Sequence, residues 1–159
     1  MEKFTLSGVD DFLANVGNQL GESQWLEICQ NNIDRFAELT LDRQWVHTDP
    51  LRAQKLSPYG STIAHGYYVL SLFTHFLDEI LEVKNLSQVL NYSVEKMTFK
   101  SAVPVNSCIR MKVSLKNAKD LGNICKATYK CVFEIDGKQD PVAEGSIVFV
   151  YYFKEKNHY

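Results

Sequence analysis

No long hydrophobic run occurs in this 159-residue sequence, and this absence argues against a function within a membrane. No apolar stretch approaches the roughly 20 residues that a helix needs to cross a bilayer. The amino-terminal residues also lack the basic start and the apolar core of a signal peptide. These absences predict a cytoplasmic protein that does not associate with a membrane.

An excess of positive charge is absent as well. The 17 Lys and Arg residues are outnumbered by 19 Asp and Glu residues, and the net charge is -2. The basic residues are scattered along the chain with no basic run. Nucleic-acid binding relies on a basic patch that meets phosphates, so we expect no nucleic-acid partner.

Cysteine is scarce and widely spaced. The four cysteines form no C-x-x-C pair and mostly stand among apolar neighbours, at Cys29, Cys108, Cys125 and Cys131. This spacing matches neither a disulfide framework nor a zinc motif. It predicts buried, reduced thiols and no metal site.

Linkers, repeats and low-complexity segments are also missing. With 45% hydrophobic and 23% charged residues, the composition is that of a globular chain. A chain of this length buries roughly 70% of its unfolded surface, which is enough for one core. We therefore expect a single domain over residues 1–159.

Apolar residues at helical spacing predict four helices. The predicted ranges are 8–20, 33–39, 51–55 and 62–82, with caps from Ser7, from Asn31 or Asn32, from Asp49 before Pro50, and from Ser61 or Thr62. The last helix is apolar on nearly every side but too broken by His and Thr residues for a membrane span, so it belongs inside the protein.

Alternation of apolar and polar residues predicts the strands that surround this helix. A short strand is expected over residues 22–29. Four longer alternating segments follow, over residues 96–100, 109–116, 125–133 and 147–151. Asp136 and Gly137 form a hairpin-turn signal between the last two. The pattern predicts an α+β fold in which a curved antiparallel sheet wraps a long central helix.

The segment from Thr40 to Leu72 carries the chemistry. It contains a carboxylate, Asp42, five residues before an imidazole, His47, in a polar segment ahead of the apolar helix. Such a pair can take up and deliver protons. The first turn of the helix, near Gly66, offers free backbone N–H groups that can stabilise negative charge on an oxygen.

Two linked stretches carry a resemblance to a known family. They are Phe36-Ala37-Glu38-Leu39-Thr40-x-Asp42-x-Gln44-Trp45-Val46-His47-x-Asp49-Pro50 and Ser57-Pro58-Tyr59-Gly60-Ser61-Thr62-Ile63-Ala64-His65-Gly66-Tyr67. Weaker matches follow at Asn91-Tyr92-x-x-x-Lys96-x-x-Phe99, at Val103-Pro104-Val105 and at Arg110. Together they resemble the MaoC-like (R)-specific enoyl-CoA hydratases and, among these, the nodulation-protein-N-like branch.

This resemblance implies a hot-dog fold, a homodimer that can assemble further, and a tunnel for an acyl thioester of CoA or acyl carrier protein. It implies that Asp42 and His47 are the catalytic pair. Water addition to a 2-enoyl thioester by such a pair needs no metal and no redox cofactor. The remaining site residues that we expect are Gly66 at the thioester carbonyl, a supporting hydroxyl from Ser71 or Thr74, and a pocket lined by Tyr59, Gly60, Ile63 and Tyr67.

Other interpretations of the same residues stay open. Asp42 can be a turn residue and His47 a surface imidazole. His65 is expected to be a hydrogen-bonded structural histidine, while His75 and His158 are expected at the surface. A non-catalytic acyl-thioester-binding module and a hot-dog thioesterase are the alternative functions.

The sequence departs from the family pattern at three positions. Leu41 and Ser61 stand where the family commonly has glycine, and Ser93 replaces a frequent glycine on the strand after the helix. Leucine does not favour the left-handed backbone that glycine adopts freely. We therefore expect these positions to affect the geometry of the loop and the depth of the pocket.

Overall fold

The computed structural model describes residues 2–154, so His158 lies outside the described residues. Strands and helices alternate at the amino end, and four long strands complete the chain. In chain order the elements are β1 (Phe4–Leu6), α1 (Val9–Ala14), β2 (Gln19–Glu22), β3 (Leu26–Glu27), α2 (Gln30–Thr40), α3 (Trp45–Thr48), α4 (Pro50–Leu56), α5 (Gly66–Ser71), α6 (Phe73–Ile80), β4 (Leu81–Val83), β5 (Leu86–Phe99), β6 (Cys108–Asp120), β7 (Ile124–Ile135) and β8 (Ala143–Phe153).

One antiparallel sheet forms the body of the protein. Its strand order is β2-β6-β7-β8-β5, with β3 paired to β6, while β1 and β4 form a separate parallel pair. On β6 as far as Leu115 and along β7 the predicted alternation is confirmed, because every second side chain is buried. The buried side chains pack onto α5 and α6 in one core. The α+β hot-dog fold is therefore confirmed.

The central helix is shorter than predicted and interrupted once. It begins at Gly66 rather than near Thr62, because Ile63 bridges Pro104 and the Ala64 amide donates to the Val103 carbonyl at 2.8 Å. Between α5 and α6, the Leu72 amide lies 3.3 Å from two successive carbonyl oxygens. After Ile80 the chain pairs with β1 instead of continuing the helix.

The helix also has an exposed side, which contradicts the expectation that it is enclosed all round. The exposed residues recur at helical spacing, at Tyr67, Ser71, Thr74 and Asp78. Phe73, Phe76, Leu77 and Ile80 form the buried side. Within one chain, the sheet therefore covers only part of the helix surface.

The predicted amino-terminal elements were wrong in extent. The helix expected over residues 8–20 ends at Ala14, because Gln19–Glu22 pairs with β6. The strand expected over 22–29 is divided between β2 and β3. Long-range pairing overrides local periodicity here. Ser7 does not cap α1, since Gly8 occupies that position without a side-chain cap.

Two further predictions differ in detail. Helix α2 starts at Gln30 and has Cys29 rather than an asparagine at its cap. The strand expected from residue 96 begins at Leu86, and none of the 14 residues of β5 is buried. A strand exposed on both faces lacks the alternation that would mark it in the sequence.

The Asp49 cap is confirmed, because its carboxylate accepts the Arg52 N–H at 3.0 Å and Pro50 opens α4. All four cysteines are free. Burial raises the pKa of the Cys125 thiol to about 11 and that of Cys131 to about 12, so both stay protonated and unreactive. No helix in residues 2–154 is long and apolar enough to cross a membrane.

Candidate active site

The Asp42 loop connects α2 to α3 and begins with an unusual backbone conformation. Leu41 ends α2 with φ 63° and ψ 13°, in the left-handed region that glycine favours. The leucine therefore adopts the conformation that a glycine would adopt there, at a steric cost. From Leu41 to Gln44 the chain forms neither helix nor strand.

His47 lies in the short helix α3 and is buried. Its Nδ1 is 2.8 Å from the carbonyl oxygen of Ile63. Because a carbonyl oxygen only accepts, Nδ1 carries the proton and Nε2 has the free lone pair. Burial lowers the pKa of His47 and outweighs the contact with Ile63, which raises it. His65 lowers this pKa further, and Asp42 raises it.

Asp42, His47 and a third residue, His65, come together in space. One carboxylate oxygen and one nitrogen from each ring lie within 4.8 Å of one another. The two imidazole rings stack with centroids 3.8 Å apart and planes 24° apart. One nitrogen of each ring, Nδ1 of His47 and Nε2 of His65, is engaged with a backbone carbonyl oxygen, which leaves one nitrogen of each ring for another partner. The site can therefore hold a water molecule and exchange protons with it.

A cavity of about 330 Å³ lies beside His47. Its walls come from the segment before the central helix, from the start of that helix, and from the chain after β5. The lining residues include His47, Tyr59, Ile63, Gly66, Phe99 and Lys100. The Lys100 ammonium forms an ion pair with Glu144 at 2.7 Å. Most of its lining residues are apolar, which suits a substrate with an apolar chain, while His47, Tyr59, Lys100 and Ser101 contribute polar side-chain atoms.

Three of the four expected pocket residues lie at or next to this cavity. Tyr59 and Ile63 line it, and Gly60 follows Tyr59 in an exposed turn with φ 66°. The Tyr67 side chain is exposed and packs edge-on against Phe99, with ring centroids 6.0 Å apart. Gly66 lines the cavity at the first position of α5.

The two expected hydroxyls lie elsewhere. Ser71 and Thr74 line a second cavity, of about 400 Å³, together with β5 residues that include Ser93. The Ser71 hydroxyl donates to the Tyr68 carbonyl at 2.7 Å. Within one chain the structure does not bring either hydroxyl into the cavity that His47 lines.

Three residues at the site were not expected from the sequence, namely Phe99, Lys100 and His65. Phe99 lies at the end of an exposed strand, and nothing in its local pattern indicated a cavity wall. His65 was expected to be structural. The available signals that it lies near the site were its position directly before Gly66 and its place within the second stretch that carries the family resemblance.

Comparison with known proteins agrees with this architecture. The family model described as MaoC like domain matches residues 11–134. The 3-hydroxyacyl-thioester dehydratase Z of Mycobacterium tuberculosis is 38% identical over 149 residues, covering 92% of this chain and 98% of that protein. Nodulation protein N of Rhizobium leguminosarum bv. viciae is 31% identical over 145 residues, covering 90% of each chain.

A solved structure shows the same fold at lower identity. The (R)-hydratase from A. caviae involved in PHA biosynthesis superposes with a TM-score of 0.68 and 20% identity. The match covers 84% of this chain and 94% of that one. At this level of identity, the likeness supports the fold alone.

Proposed function

We propose the reversible addition of water to a 2-enoyl thioester as the reaction of this chain, which belongs to the MaoC-like dehydratase family. Water addition gives a 3-hydroxyacyl thioester of the (R) configuration, and the reverse reaction is a dehydration. The observation that carries the proposal is that the carboxylate of Asp42 lies within 4.8 Å of the His47 ring, beside an apolar cavity.

His47 acts as the base in this reaction. Its Nδ1 proton is engaged by Ile63, so Nε2 accepts a proton from water while the water oxygen bonds to the β-carbon. The lowered pKa of His47 keeps the ring neutral near pH 7, so that Nε2 is able to accept a proton. Asp42 accepts the second hydrogen bond of the water and stabilises the imidazolium. The imidazolium then returns a proton to the α-carbon, and both groups recover their starting states.

Negative charge grows on the thioester oxygen during this step. Gly66 lines the cavity at the first position of α5, where a backbone N–H has no partner within its own helix. That N–H can donate to the oxygen and stabilise the enolate. A side chain at position 66 would contact the Phe99 ring, so glycine suits the close approach of an acyl group.

The proposal is tested by the loss of enoyl absorbance when the protein is mixed with trans-2-enoyl-CoA esters of graded chain length. We expect wild-type turnover with at least one ester. Asp42→Asn and His47→Gln should each reduce kcat by at least about a hundredfold while the protein stays folded. Asp49→Asn is the matched control, because Asp49 lies on the same segment but caps α4.

The alternatives give different results in the same experiment. A thioesterase would release free thiol from a saturated acyl-CoA, which a thiol reagent detects. A binding module would bind acyl-CoA in calorimetry and leave the absorbance unchanged. Either result, without hydration of any enoyl ester, would contradict the hydratase proposal.

A homodimer joined along β5 is the second part of the proposal. This 14-residue strand is the edge of the sheet and pairs only with β8 among the described strands. Its exposed apolar side chains are Val89, Leu90, Tyr92, Val94 and Phe99. An unpaired apolar edge favours pairing, and a twofold axis lets the same strand of a second copy pair with it.

Light scattering on the purified protein tests the dimer. We expect a mass twice that of one chain, and a shift toward one chain mass in Leu90→Lys. Leu90 is 44% exposed on β5, and Leu39→Lys is the control because Leu39 is 84% exposed on α2. A wild-type protein with the mass of one chain, or equal dissociation by both variants, would contradict the pairing.

A further inference from the structure

His65 makes more contacts with the proposed catalytic pair than its assignment as a structural histidine suggests. The ring is buried, with 3% of the residue exposed, and precedes α5 at the cap position. Its Nε2 lies 2.9 Å from the backbone carbonyl oxygen of Asp42. One side chain thus contacts both members of the pair, because its ring also stacks on His47.

The direction of the hydrogen bond follows from its acceptor. The Asp42 carbonyl oxygen can only accept, so His65 donates from Nε2. The other ring nitrogen, Nδ1, is buried and has no hydrogen-bond partner among the described residues. A purely structural histidine would be expected to use both nitrogens, since an unpaired buried polar atom costs stability. The ring is therefore held by the hydrogen bond from Nε2 and by the contacts of its faces with the rings of His47 and Phe36.

The Asp42 backbone needs such a support. The preceding residue, Leu41, has a left-handed φ of 63°, and no helix or strand holds the segment from Leu41 to Gln44. Without a bond from outside the loop, the carboxylate would sample many orientations. His65, in contrast, lies in the extended segment between Ile63 and α5, and this segment is fixed by the β-bridge from Ile63 to Pro104. The Phe36 ring also packs against His65, with 5.0 Å between the ring centroids.

We propose that His65 is a positioning residue for the hydration reaction. Its Nε2–H holds the backbone of Asp42, and its ring face holds the imidazole of His47, so that the carboxylate and the His47 Nε2 face the same water. This inference rests on the proposed function for its effect on rate. The contacts themselves are tested independently of activity.

The groups around His47 determine how His65 affects its titration. Asp42 and His65 face the ring directly, the Ile63 carbonyl binds its Nδ1, and Lys100 lines the same cavity while paired with Glu144. Burial is the main cause that lowers the pKa of His47, and His65 lowers it further. Replacing His65 by a neutral amide should therefore raise the pKa of His47.

Two amide variants separate positioning from packing. In His65→Gln the amide nitrogen reaches the place of Nε2 and can still donate to the Asp42 carbonyl. In His65→Asn the shorter side chain cannot reach, although Asn is equally polar and is a favoured cap residue. His75→Gln is the control, because His75 is exposed on α6 and forms an ion pair with Glu79.

The experiment measures kcat and KM with an enoyl-CoA ester, and the titration of His47 by NMR, in the folded variants. We expect kcat in His65→Asn to fall by about ten- to a hundredfold relative to His65→Gln with a similar KM, because misplacement of a catalytic group by about 1 Å costs up to about a hundredfold. The His47 titration should move to higher pH in both variants and stay unchanged in His75→Gln.

Equal kcat in the two amide variants, or an unchanged His47 titration in both, would overturn the positioning role. If wild-type protein hydrates no enoyl ester but the His47 titration moves as expected, the proposed function fails while the contact of His65 with His47 stands. If the amide variants do not fold, the chemical shift of the Asp42 carbonyl carbon in His65→Phe, which keeps an aromatic ring for the stacking, decides the question, because His65 bonds to that carbonyl. A shift in the direction expected for a lost hydrogen bond would support the role, and an unchanged shift would refute it.

Discussion

The imidazole of His47 donates from Nδ1 to the backbone carbonyl of Ile63, with 2.8 Å between the two atoms. In return, the Ile63 amide donates to the carbonyl of Val46 at 3.1 Å. These two bonds join α3 to the extended segment before the central helix. They set the orientation of the His47 ring and leave Nε2 with the lone pair, so a local contact determines which nitrogen can act as a base.

The first prediction concerns the pH dependence of turnover. The pKa of His47 lies below the ordinary value of 6.5, mainly because the ring is buried. We expect kcat/KM for an enoyl-CoA ester to decrease as the pH falls, with a midpoint below 6.5, because Nε2 becomes protonated there. A midpoint at or above pH 6.5 would contradict this assignment.

The same pKa shift predicts how stability depends on pH. Between the folded pKa of His47 and 6.5, the unfolded chain binds more protons than the folded chain. The stability that neutral His47 contributes is thus present above pH 6.5 and is lost as the pH falls toward the folded pKa. Urea unfolding at a series of pH values measures this loss. His47→Gln should show a smaller loss than wild type over the same range.

Leu41→Gly should stabilise the protein. Glycine relieves the left-handed strain at φ 63°, and Leu41 is 72% exposed, so little packing is lost. After the entropic cost of glycine is subtracted, we expect a gain of about 0.5–1 kcal/mol in the free energy of unfolding. Leu41→Ala is the control, because alanine keeps the strain. Equal effects of the two substitutions in urea unfolding would refute this explanation.

Gly66→Ala should reduce activity more than stability. A Cβ at this position would lie 3.2–3.4 Å from three atoms of the Phe99 ring, which is at the cavity wall and can shift into it. We expect kcat/KM to fall and the free energy of unfolding to change by less than about 1 kcal/mol. Gly8→Ala, where a Cβ meets nothing within 4 Å, is the control. Adding Phe99→Leu should restore part of the lost activity, and a failure to do so would assign the loss to another cause.

Tyr129 and Tyr151 form a hydroxyl pair in the core, with 2.6 Å between their oxygens. Both side chains are buried. Tyr151→Phe leaves the Tyr129 hydroxyl without this partner, which should cost roughly 1–3 kcal/mol of stability. The double variant Tyr129→Phe with Tyr151→Phe should lose less than the sum of the two single changes. Additive losses in thermal or urea unfolding would show that the two hydroxyls do not depend on each other.

The local sequence pattern predicted secondary structure most reliably in elements that have one buried face. The alternation along β6 and β7 predicted their inward residues, because the sheet has one face on the core. The cap at Asp49 was predictable for a similar reason, since capping depends on residues within one turn. The segment that contains Asp42 in its loop and His47 in α3 could be identified as a site only through its resemblance to a family.

Elements that depend on distant partners were predicted less well. The first helix ends early because β2 pairs with β6, about 90 residues away along the chain. The start of the central helix is delayed because Ile63 bridges Pro104. Such pairings leave no signature in the local sequence, and the same holds for β5, which is exposed on both faces.

By itself, the sequence determined the fold class, the inward faces of two strands, and the spacing of five residues between Asp42 and His47. These properties follow from periodicity, capping and chain connectivity, which act over a few residues. Only the tertiary structure decided that His65 stacks on His47 and bonds to the Asp42 carbonyl, that Phe99 lines the cavity, and that Ser71 and Thr74 lie in another cavity. The physical reason is that these contacts join segments that meet only when the sheet wraps the helix.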